Sequence, residues 1–217
     1  MSPFNQALTH TLGLEGNWSH HKLDPGGRTR FGITEQLASR YGIDVETMIR
    51  PQAQHIYFHA FWRPMRLEEV ARLANGEYIP LAIELFEAAV NTGTRQTGGW
   101  RSVAWLQQWL NRFNYGDDWP QLRTDGWIGP NTLAAVEGYH AQRKDLNGPH
   151  VLRLAVNASQ IMYYGRLVDQ SPDQFGAFAY GWVRTRGEPI EIADEPCEPD
   201  NHEPQRRPDH RRPRDNG

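Results

Sequence analysis

Apolar residues in this chain recur three and four positions apart, the spacing that lines one face of a helix. Phe4, Ala7, Leu8, Thr11 and Leu12 form the first such stripe. It follows Ser2-Pro3, where serine accepts an orphan N–H and proline suits the first helical turn. Thr34 is placed to cap a second helix carrying Leu37, Ala38 and Tyr41, stopped by Gly42. Pro51 opens a third with Ala53, Ile56, Tyr57, Ala60 and Phe61, ended by Pro64, and Pro80 opens another running to Asn91-Thr92-Gly93. Trp100, Val103, Ala104, Leu106, Leu110 and Phe113 mark the next, and Pro130 starts one through Ala135 and Val136. Pro149 begins a long helix with Leu152, Ala155, Val156, Ser159 and Met162 on one face. No alternating pattern persists anywhere, so the prediction is a mainly α protein without a large sheet.

One stretch interrupts the helical pattern: Leu14 to Thr34, LEGNWSHHKLDPGGRTRFGIT. Asp24-Pro25-Gly26-Gly27 is strong turn chemistry, since proline presets φ and glycine tolerates positive φ. Short extended runs on either side predict a small β-hairpin facing the end of the first helix. Gly13 and Gly16 leave Glu15 at that helix end, where Leu14, Trp18 and Phe31 are placed to shield its carboxyl and raise its pKa. Taken singly, Glu15 reads as a solvated helix-end glutamate and Asp24 as a turn residue. Together with the hydroxyl of Thr29 they match the needs of glycoside hydrolysis. That reaction uses one carboxylic acid to protonate the leaving oxygen and a second polar group to handle water or the cationic sugar.

The same residues resemble the N-terminal signature of glycoside hydrolase family 108, the phage-type N-acetylmuramidases. This chain supplies Glu15, Gly16, Trp18, Asp24, Gly26, Gly27, Thr29, Gly32, Ile33 and Thr34, with Asn17 where a second glycine is usual. Gln54-His55-Ile56-Tyr57 through Phe61-Trp62-Arg63-Pro64 resembles the family's helix ending in an aromatic pair. Leu85 to Gly93 is similar to its Phe-Asp-x-Ala-Val-Asn-x-Gly helix, with Glu87 in place of aspartate. Val103-Ala104-Trp105-Leu106-Gln107, Asp125-Gly126-Trp127-Ile128-Gly129-Pro130-Asn131-Thr132 and Gly181-Trp182-Val183-Arg184 resemble the companion peptidoglycan-binding domain.

The resemblance implies a lysozyme-like helical catalytic lobe at residues 1–93 and a helical peptidoglycan-binding lobe at 94–187. The implied reaction is hydrolysis of the β-1,4 bond between N-acetylmuramic acid and N-acetylglucosamine, with Glu15 as the acid and Asp24 and Thr29 assisting. Trp18, Trp62 and Trp127 are candidates for stacking on sugar faces. His20 is a candidate for sugar hydroxyls, and Asn91 for a substrate contact. Two other readings keep part of this picture: a lytic transglycosylase using the same acid, and a non-catalytic wall-binding protein. The Asp125-Gly126 turn reads equally well as a plain helix entry and as part of a glycan- or stem-peptide-binding surface.

Composition narrows the surroundings. The 217 residues carry a net charge of −3, yet up to Gly187 there are 18 basic against 17 acidic side chains. Residues 188–217 hold nine acids, five arginines and six prolines, which predicts a disordered tail that cannot bury enough apolar surface to order itself. No apolar run approaches a membrane span, and the N-terminus lacks the basic start and apolar core of a signal peptide. The one cysteine, Cys197, excludes an internal disulfide. His55 and His59 stand four apart, a spacing that can hold zinc, but no third ligand accompanies them. No phosphate loop or nucleophile elbow is present. The expectation is a monomer acting on peptidoglycan glycan strands, with no cofactor, no metal and no nucleic acid. It would be made in the cytoplasm and act in the periplasm or on the wall, after release through a holin lesion or a secretion-system route.

Overall fold

The computed structural model describes residues 1–14, 18–19 and 28–187; segments 15–17, 20–27 and 188–217 lie outside the described residues. Helix α1 (Pro3–Leu14) leads into a three-stranded antiparallel sheet of β1 (Trp18–Ser19), β2 (Thr29–Arg30) and β3 (Ile33–Thr34). Helices α2 (Glu35–Arg40), α3 (Arg50–Tyr57), α4 (Leu67–Arg72) and α5 (Ile79–Thr92) complete the first lobe. The second lobe holds α6 (Arg101–Phe113), α7 (Pro130–Arg143), α8 (Gly148–Gln170) and α9 (Pro172–Arg186). The architecture is mainly α, as the pattern predicts, and the hairpin at the first helix end is present.

Three local features exceed the prediction. The hairpin gains a third strand, because Phe31 and Gly32 both adopt positive φ and make the tight turn that reverses β2 into β3. Tyr57 then donates its hydroxyl to the Phe31 carbonyl at 2.8 Å, fastening that turn to α3. The helix opened by Pro51 widens into a π turn over Phe58–Trp62, a form concentrated at functional sites. Helices α4 and α9 carry no readable stripe: α4 has six residues, and α9 buries none of its side chains fully.

Caps form where the sequence provides for them. Thr34 Oγ1 accepts from the Leu37 N–H and starts α2, and Gly42 follows its end at φ +68°. Gln52 reaches back to the Ile49 N–H at 2.9 Å, with Pro51 in the first turn of α3. One continuous apolar core runs from Ala7 through Leu85 and Phe86 to Val136, Leu152 and Val156, so it spans both lobes.

Candidate active site

An opening of about 530 Å³ lies at the junction of the lobes. Arg40 and Tyr41 enter it from the end of α2, His59 and Phe61 from the π turn, Gly93 and Thr94 from the end of α5, and Trp100 from the start of α6. Since β3 runs directly into α2, the sheet delivers its chain straight to the wall of this cleft. Aromatic rings with a few polar tips suit a sugar, which offers apolar faces and hydroxyl edges. The sequence offered His59 only as half of a zinc spacing and Trp100 only as a helix position, neither of them for a sugar site. Their places come from the π turn and the lobe junction, which no sequence spacing reveals.

The sequence candidates meet different fates. Glu15, His20 and Asp24 lie outside the described residues; by connectivity Glu15 directly follows α1, and Asp24 belongs to the link between β1 and β2. Trp18 opens β1, in register with Arg30. Thr29 sits buried in the central strand, between Ser19 and Thr34. Trp62 is 1% exposed, its ring packed against Phe4 and Phe86, so no sugar can stack on it and its place is in the core. Asn91 has both ends of its amide engaged: Nδ2 donates to the Glu87 carbonyl at 2.8 Å, and Oδ1 accepts from Arg186 at 2.9 Å. Trp127 is 51% exposed on the second lobe.

Arg186 leads to a charged seam between the lobes. Glu87, on α5, meets His10 of α1 at 3.2 Å through Oε2 and Arg186 of α9 at 3.2 Å through Oε1. One turn earlier, Glu84 pairs with Arg153 of α8 at 3.3 Å and accepts from Asn157 at 3.0 Å. Asn157 also donates to the Arg186 carbonyl. Burial pushes the Glu84 carboxyl up to about 7; the Glu87 charge adds to the rise, while Asn157 and Arg153 pull against it. The resemblance marked Glu87 only as a departure from aspartate. The structure makes it the bridge from both lobes to the helix that ends beside Glu15.

Comparison with known proteins reads the two lobes in order. Residues 8–93 match the family model described as Glycosyl hydrolase 108, and residues 101–187 match one described as Predicted Peptidoglycan domain. The first lobe carries the glycosyl hydrolase 108 match and the second the peptidoglycan-domain match. No curated protein matches it. Among solved structures it is similar to SagA of Brucella abortus, at 22% identity and a TM-score of 0.59, over 85% of this chain and 91% of that one. That likeness is one of fold.

A glycosyl hydrolase 108 domain followed by a peptidoglycan domain makes the chain a glycoside hydrolase whose partner is peptidoglycan. No helix among the described residues is long and apolar enough to cross a membrane. Its peptidoglycan domain carries one tightly braced loop. Gln107 is 2% exposed, and its Nε2 donates to Asp125 Oδ1 and the Trp127 carbonyl, both at 3.0 Å, while its Oε1 accepts from Gly126 N–H. Burial alone would raise the Asp125 carboxyl. Its hydrogen bonds from Gln107 and the Trp127 N–H, with Arg123 nearby, together hold it below the usual carboxylate range.

Proposed function

We propose that this protein is an N-acetylmuramidase that cuts the β-1,4 bond between N-acetylmuramic acid and N-acetylglucosamine in the junction cleft. Residues 1–93 would perform the chemistry and residues 94–187 would hold the wall. Glu15 donates its proton to the bridging oxygen as the C1–O bond breaks, so the leaving sugar departs as a neutral alcohol. Asp24 stabilises the oxocarbenium-like state or helps position water, and Thr29 orients that water. Water adds its hydroxyl to C1 and gives its other proton to a site carboxylate, which leaves a reducing end and restores the acid. The enzyme would act at the wall after release, by phage lysis or a secretion-linked route.

The observation that carries this reading is the family match over 8–93, which brackets Glu15, Asp24 and Thr29, together with a cleft walled by the helix that follows β3. The test is muropeptide release from purified sacculi by wild type and Glu15→Gln, read by mass spectrometry. Reducing-end products from wild type, with loss of at least about a hundredfold in the variant, are expected for a lost general acid. Anhydro products, lighter by one water, would make the enzyme a lytic transglycosylase. Equal release by both proteins would remove Glu15 from the mechanism.

A further inference from the structure

Beside the cleft, the second lobe bears two smaller cavities of about 260 and 350 Å³, and Arg123, Asp125 and Trp127 line both of them. The larger of the two is completed by Arg95 and Thr97. Trp127 is half exposed, yet the backbone that carries it is held from several sides. Gln107 clasps it from beneath, and Trp100 N–H donates to the Gly126 carbonyl at 2.8 Å. Gly126 has φ +84°, and a Cβ there would lie 2.6 Å from the Trp100 carbonyl oxygen, so the loop presses directly on the segment that walls the cleft. An exposed tryptophan on an immobilised loop is the form of a binding anchor, because ordering it on contact costs little.

Position and charge choose the occupant. Thr94 lines the cleft and its neighbour Arg95 lines the second cavity, so a group branching sideways from a ligand in the cleft meets this surface within one residue. The cleft sets Tyr41, His59, Phe61 and Trp100 beside a single guanidinium, that of Arg40, and suits the faces and hydroxyls of sugar. The second cavity presents two guanidinium groups and one carboxylate, which neutral sugar does not need. On a peptidoglycan strand, charge resides on the peptide attached to the muramic acid. Arg95 spends one N–H on the Thr124 carbonyl at 2.5 Å and keeps donors for a carboxylate.

We propose that the Arg95–Arg123–Trp127 cavity receives the peptide stem of the strand whose glycan lies in the cleft. The arginines meet stem carboxylates, Asp125 faces a stem ammonium, and Trp127 packs on the aliphatic side chains. The inference rests on the cleft being the glycan-cleaving site, and its test separates the two. The first measurement is an NMR titration of the full chain with the free stem tetrapeptide, which requires no cleavage. Signals of Trp127 and Arg123 are expected to shift, with affinity about tenfold weaker in Arg123→Gln and falling with added salt. No shift in wild type, or equal affinity in Arg123→Gln and in Trp127→Leu, overturns the proposal even if Glu15 proves catalytic. The second measurement compares hydrolysis of peptide-bearing and peptide-stripped strands. Arg123→Gln is expected to lose several-fold more rate on the former. Equal losses on both substrates would make the surface a glycan or structural element and overturn the stem assignment.

Discussion

In the first lobe Trp62 packs its ring against Phe4 and Phe86, while the seam with the second lobe is closed by Glu84–Arg153 and Glu87–Arg186. The two regions are about equally buried and are held by different physics. Aromatic packing depends on shape and removal from water, and no proton enters it. The seam depends on charges taken out of water, worth having only while each keeps its partner. The second lobe is thereby joined to the first through α5, and His10 carries the connection on to α1. A second lobe attached in this way is part of the first lobe's structure, and their shared core says the same.

The largest effect expected on the aromatic side is from Trp62→Ala, at about 3–5 kcal/mol of lost stability. Urea unfolding would report it, and the loss should be the same at pH 5 and pH 8. On the ionic side, Arg186→Met leaves Glu87 facing His10 alone and is expected to cost about 3 kcal/mol. Adding Glu87→Gln to that variant should restore part of the loss. If the double variant is no better than the single one, the seam is held by packing and the contrast between the regions fails.

The most gradual effect is that of pH on Glu84. Its carboxyl titrates near 7 in the fold, above the ordinary value of an unfolded glutamate. The unfolded chain therefore releases this proton first. Stability from this group is complete below about pH 4.5 and is lost as pH rises through about 7, by on the order of 3 kcal/mol in all. Unfolding temperature followed over pH 4.5–8 should show that decline, and Glu84→Gln should flatten it. An unchanged slope in the variant would assign the pH dependence to other groups.

Much of this was legible in the chain. Apolar stripes located most of the helices, because burying one face demands a repeat near 3.6 residues. Thr34 and Gly42 marked the ends of α2, since caps are local chemistry. The ionic seam was not legible: Glu84 and Glu87 stand three apart on a helix, as solvated surface charges do, and their partners Arg153 and Arg186 come from the distant α8 and α9. Nor could spacing distinguish two tryptophans proposed for the same task. Trp62 rides a π turn that rotates it into the core, and Trp127 sits on a loop that Gln107 holds outward.

The sequence by itself determined the helical class, the hairpin at the end of the first helix, and the Glu15–Asp24–Thr29 order that led to a glycoside hydrolase. Each of these depends on residues close together in the chain, where sterics, capping and turn preferences act directly. Only the tertiary structure decided which aromatic rings face solvent, which carboxylates are buried against arginine, and how the second lobe stands beside the cleft. Those outcomes depend on burial and on partners far apart in sequence, and burial is a property of the packed molecule.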